Sequence, residues 1–170
     1  MKAGAERVVH LDFHTGMGKW GTYVLAVDFP NDSPRVQRLF ERLPIEVAVS
    51  LDAATPEVYD QIRIGSSWEL VQTNMDHFLE QAAGVTVTYC LMRTNWQDFG
   101  RFCQQADARG IGCAVNVVTE PADMSLYKVP FEDLARIVDA LDEEDRRIGP
   151  HLTLSASTWK GELDKLRRHE

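Results

Sequence analysis

Within VSLDAATPEVYDQIRIG, residues 49–65, three residues have types and spacing that suit chemistry: Ser50, Asp52 and Arg63. The stretch reads as a strand that stops at a serine and an aspartate, a turn of helix opened by Thr55 and Pro56, and then an arginine. A carboxylate accepts hydrogen bonds from sugar hydroxyls, and a guanidinium pairs with a carboxylate in a fork. Asn116, near the end of a later apolar run, is a fourth polar group of the same kind. A local alternative stands beside each. Asp52 caps the turn into the next helix, Ser50 bonds nearby backbone, and Arg63 is a surface residue at a helix C-terminus.

These groups need a scaffold. The chain has 170 residues, 44% hydrophobic and 26% charged, which is enough to bury a core. Residues 7–13 read as a strand, 14–21 as a glycine-rich loop, 22–28 as a second strand, and 34–43 as a helix that Pro44 ends. From Ile45 the pattern alternates: strand 45–51, helices from Thr55 and Ser66, strand 85–92, helix 95–109, strand 113–118 and helix 130–146. Ser66 to Glu69 reads as a capping box, and Asn95 with Gly110 brackets a helix. Residues 151–156 read as one more short strand, and 158–170 as a charged terminal helix or tail.

Such alternation predicts an α/β fold whose βα repeats form a partial TIM-type barrel or an open, mostly parallel sheet. Three segments follow: 1–44, 45–150 and 151–170. In the strand from Ile45, the residues Glu46, Ala48, Ser50 and Asp52 share a small, polar face opposite Val47, Val49 and Leu51. Ser50, Asp52 and Asn116 also fall at or near carboxyl ends of strands, the edge at which parallel α/β folds hold ligands.

A net charge of -8 and a pI near 5.1 argue against nucleic acid or an anionic membrane as partner, and favour a small-molecule or peptide substrate or another protein. Cys90, Cys103 and Cys113 match neither paired disulfides nor close-spaced metal ligation, which predicts a reducing, cytoplasmic setting. No apolar start resembles a signal peptide, and no run approaches the roughly 20 apolar residues of a membrane helix.

The run VAVSLDAATPEVYDQIRIG, then Asn74, then VTVTYCLMRTNWQDFGRFCQQADARGI with Asn116 and Pro121, resembles the middle and later barrel strands of radical S-adenosylmethionine enzymes of the SPASM-like branch. The resemblance covers about residues 45–141. It implies that Ser50 and Asp52 contact the ribose and amino-acid parts of S-adenosylmethionine, that Arg63 reaches its carboxylate, and that Asn116 lies at the same cofactor edge. The chain departs from that family in having no Cys-x3-Cys-x2-Cys loop, so a 4Fe-4S cluster would need ligands from outside it.

HLDFHTGMGKWG, residues 10–21, invites other readings. The glycines match a dinucleotide pattern, but a strand-like run follows where a helix is required. Phosphate-loop and kinase-loop readings fail for want of their partner residues. His10, Asp12 and His14 would share one strand face, a donor set that suits zinc or iron. Asp12, His14 and the glycines after them resemble a segment of zinc carboxypeptidase-like amidohydrolases, which implies His14 as a zinc ligand, without the upstream His-x-x-Glu that supplies the others. Three functions follow as expectations: a radical S-adenosylmethionine-like domain that binds the cofactor without its own cluster, a zinc hydrolase fragment, or a non-catalytic module that self-associates through a sheet edge.

Overall fold

The computed structural model describes residues 9–13, 34, 38, 41 and 45–169. His14, the glycine-rich loop and the strand expected over 22–28 lie outside the described residues. Pro34, Arg38 and Glu41 are helical, in keeping with the helix expected there. The strands are β1 (Val9–Phe13), β2 (Ile45–Ser50), β3 (Gly84–Leu91) and β4 (Gly112–Val117). The helices are α1 (Pro56–Ile62), α2 (Trp68–Gln81), α3 (Phe99–Ala108), α4 (Phe131–Ile148) and α5 (Ala156–His169).

The architecture is α/β with an open parallel sheet. Its strands follow the order β1-β2-β3-β4, so sequence neighbours are sheet neighbours. β1 and β2 pair in parallel, with Val9 opposite Ile45 and Phe13 opposite Val49. Two compact units divide the chain: one holds β1, β2 and residues 63–86, the other residues 51–62 and 87–170. The terminal residues 151–170, expected as a separate segment, fall in the same unit as 87–150.

In the first unit, Val47 and Val49 bury the apolar face of β2, and Val71, Met75 and Phe78 bury one stripe of α2. The cap of α2 is Ser67, whose hydroxyl accepts from Leu70 N at 3.3 Å and donates to Glu69 at 2.9 Å. The capping serine is thus one residue later than the pattern from Ser66 predicts, because Ser67 carries the extended backbone a cap requires.

In the second unit the core is aromatic. The Tyr89 ring packs 4.6 Å from Phe102 and 5.3 Å from Phe99, and Phe99 in turn packs 5.1 Å from Trp159 of α5. A Cβ on Gly100 would stand 2.8 Å from Ile148 Cδ1, so glycine lets α3 approach α4 closely. α3 ends in a Schellman arrangement: Ile111 N donates to Ala106 O at 2.9 Å and Gly110 N to Asp107 O at 3.0 Å. Gly110 has φ of +68°, and Ile111 is buried beside the turn.

Residues 151–156 form no strand. Leu152 N closes the short turn Gly149–His151, and the Asp107 carboxylate accepts from Thr153 N and, at 2.8 Å, from Ser155 N. With those donors taken by a side chain of α3, the segment makes no ladder bonds and leads into α5, which buries Trp159, Leu163 and Leu166. Burial raises the Asp107 carboxyl, but the Ser155 and Thr153 donors outweigh it and hold the group below its usual range. Urea titration should show Gly110→Ala losing about 1 kcal/mol, the cost of a left-handed residue acquiring a Cβ. Gly112→Ala, with open space around its Cβ and no positive φ, should change stability by less than half of that.

Candidate functional site

Within the second unit, residues 51–55 and the carboxyl end of β3 are joined by side chains that bond backbone. Leu51 N extends the ladder to Thr88 O at 3.0 Å, and then the chain turns through Asp52 in the left-handed region, φ +58°. Aspartate tolerates that region better than most residues. Its carboxylate, in a residue only 2% exposed, accepts from Cys90 N at 2.6 Å. Ala53 and Ala54 follow, both buried where a larger side chain would have little room. Asp98 accepts from Ala54 N at 2.5 Å, and the Gln105 amide donates to Ala54 O at 2.9 Å. Thr55 then accepts from Val58 N at 3.4 Å and opens α1.

Asn95 ties the second loop to the first. Its Oδ1 accepts from Met92 N at 2.8 Å, while Nδ2 donates to Asp52 O at 3.0 Å and Cys90 O at 2.9 Å. A carboxamide offers one acceptor and two donors in a plane, and here each of them meets a backbone group. The residue is 1% exposed. Sequence reading places Asn95 as a helix cap, yet its side chain makes no capping bond. Tyr89 donates its hydroxyl to Asn95 O at 2.7 Å, and burial, with the charges of Asp98 and Asp52, pushes that phenol far above its usual range.

The sequence-predicted residues therefore divide. Ser50, at the end of β2, is buried, and Arg63, just past α1, is half-buried; both belong to the first unit. Asp52 and Asn116 belong to the second. Asn116 is exposed on β4. Tyr89 packs against α3 and Cys113 adjoins Cys103 of that helix, so the alternate residues Thr88, Cys90, Ala114 and Asn116 face away from α3. That face is half-exposed to exposed, with small or polar groups along it.

Sequence reading missed the Asn95, Asp98 and Gln105 contacts to the β2 loop, since no local pattern marks a side chain that bonds backbone more than 40 residues away. It also missed a cleft of about 450 Å³ beyond the end of β3, lined by Arg93, Trp96, Val129, Asp133, Arg136 and Ile137. Arg136 there pairs with Asp133, and the Arg93 backbone is held by Met124 O at 3.0 Å.

The three cysteines do not suit a cluster. Cys103 lies on α3 and Cys113 on the face of β4 toward it, whereas Cys90 faces away from α3, so the three sulfurs do not converge. Among the described residues no group of three or more His, Cys, Asp or Glu could hold a metal ion, and no helix is long and apolar enough to cross a membrane. His10 and Asp12 lie in β1 opposite Glu46 and Ala48, and His14 lies outside the described residues. No family model, curated protein or solved structure matches the chain.

Asn95→Ala leaves one donor and two acceptors of the backbone without their partner, at about 1 to 3 kcal/mol for each buried group that water cannot reach. Urea unfolding should show a loss of about 3 kcal/mol or more. Asn95→Asp, nearly the same size, should lose at least as much at neutral pH, because a carboxylate would face two carbonyl oxygens. Equal stability of Asn95→Asp and the parent chain would remove the structural role assigned to this residue.

Proposed function

We propose that residues 45–141 are an incomplete βα-barrel segment related to radical S-adenosylmethionine enzymes, and that the segment binds S-adenosylmethionine at the carboxyl edge of its strands. The observation that carries this reading is the sheet itself. The described strands follow sequence order, and with the right-handed crossovers usual in parallel sheets that order would put their helices on one face. The other face of β3 and β4 then carries Thr88, Cys90, Ala114 and Asn116, small and polar as an inward barrel face beside a ligand is. The doubly wound alternative needs a reversal of strand order, and the described strands contain none.

The resemblance assigns Ser50, Arg63 and Asn116 to the cofactor, and the geometry modifies the part of Asp52. With one carboxylate oxygen accepting from Cys90 N, Asp52 acts first as a positioning residue for the strand-end loop. S-adenosylmethionine bound to a 4Fe-4S cluster supplies radical chemistry. The described cysteines do not fit such a cluster, so a cluster would need ligands from outside this chain, and binding is the only step assigned to it. The substrate class remains a small molecule or peptide.

A second reading rests on β4, the last strand in the order, whose outer residues Ala114, Asn116 and Val117 are exposed. Such an edge pairs readily with another strand, which makes the chain a self-associating module instead.

Calorimetric titration of S-adenosylmethionine separates the two. The binding reading expects saturable heat, weakened by about 1 kcal/mol in Asn116→Ala, the scale of one hydrogen bond. Absence of heat in a folded chain, with association that rises with concentration and ignores the cofactor, supports the module and ends the cofactor reading.

A further inference from the structure

We propose that the cleft beyond the end of β3 is a binding site for a small aromatic carboxylic acid, with Arg93 pairing the carboxylate and Trp96 covering the ring. The cleft holds about 450 Å³, within the range of roughly 300 to 1,000 Å³ that small-molecule sites occupy. It lies wholly in the second unit. Arg93 and Trp96 come from the loop after β3, Val129 from the approach to α4, and Asp133, Arg136 and Ile137 from the first two turns of that helix. None of these residues takes part in the cofactor reading, so either proposal can fail without the other.

The lining sorts by chemistry. Trp96, Val129 and Ile137 are half-buried, and each gives the cleft apolar surface. Of the three charged side chains, two satisfy each other: Arg136 pairs with Asp133, and its Nε also donates to Glu132 O at 3.3 Å. Arg93 is left over. Its guanidinium is exposed and, among the described residues, has no hydrogen-bond or ion-pair partner. A guanidinium without a carboxylate of its own takes one from outside in a fork, and an indole beside it offers a planar face to a second ring.

Charge narrows the ligand further. Two arginines and one aspartate leave the cleft with a single positive charge, in a chain whose net charge is -8. One positive charge matches a singly charged acid. A phosphate monoester brings nearly two negative charges, and the second would face Asp133 with no cation to spare.

The loop that carries the two recognition groups is fixed before any ligand arrives. Arg93 N donates to Met124 O at 3.0 Å, Trp96 N to Met92 O at 3.2 Å, and Met92 N to the Asn95 carboxamide at 2.8 Å. A backbone held in this way loses little freedom on binding.

The test is titration of indole-3-acetate into the whole chain, read by calorimetry and by the Trp96 indole N–H resonance, which is assigned by its loss in Trp96→Phe. The expected result is saturable binding that shifts that resonance. Indole-3-ethanol keeps the ring and lacks the charge, cyclohexylacetate keeps the charge and lacks the ring, and both should bind more weakly. Arg93→Gln should weaken binding about tenfold or more, the scale of a hydrogen bond to a charged group. Arg93→Lys should recover only part of that loss, since it restores a point charge without the fork. Asp133→Asn should tighten binding severalfold by releasing Arg136 as a second cation, a gain that damage to the fold cannot mimic. Asn116→Ala, at the cofactor edge, should leave indole-3-acetate binding unchanged. The proposal is overturned by lack of saturation at millimolar concentration, by Arg93→Gln binding as the parent does, or by indole-3-ethanol or phenyl phosphate binding as tightly as indole-3-acetate.

Discussion

Three backbone groups from two loops meet one buried carboxamide, that of Asn95, and the carboxyl edge of the second unit depends on that meeting. A parallel sheet cannot satisfy the donors and acceptors at its strand ends through ladder bonds alone, because the chain there must turn into a helix. Here side chains complete the count. Asp52 takes the Cys90 amide, Asn95 takes the Met92 amide and two carbonyls, and Asp98 takes the Ala54 amide. Removing any one leaves a polar group where water is excluded, which costs more than the bond itself contributes. The left-handed backbone at Asp52 and the two small alanines after it are consequences of the same packing.

That network changes how strand-end polar residues should be read. An aspartate at the end of a parallel strand suggests a ligand contact, but Asp52 has a backbone partner of its own. Its contribution to any ligand is then first to fix the loop. The groups left facing outward on β3 and β4 are smaller and less charged, Thr88, Cys90 and Asn116. The thiols follow the same division by face. Cys103 and Cys113 lie together on the helix side, in reach of α5, and Cys90 lies on the other.

Much of the scaffold was legible in the sequence. The alternation after Ile45 identified β2, β3, β4 and the starts of α1 and α2 to within two residues, because apolar period and turn residues agree there, whereas the helix expected from Asn95 begins with a short turn over Trp96–Asp98 and runs as α3 only from Phe99. The stretch after Gly149 was not legible as helix entry, since its conformation depends on Asp107, more than 40 residues earlier. Asn95 was visible as a boundary but not as a hub, for the same reason: its partners are distant in sequence. Ser50, Asp52 and Asn116 were found at strand ends by alternation. What each side chain touches required the fold.

Amide hydrogen exchange, followed residue by residue, tests the central claim most directly. Cys90 N, Met92 N and Ala54 N each bond to a side chain, so their protection reports the network. The account predicts that all three exchange only as the second unit unfolds as a whole, as slowly as the amides of α3. Exchange of Cys90 and Met92 at the rate of exposed loop amides, with α3 still protected, would contradict it.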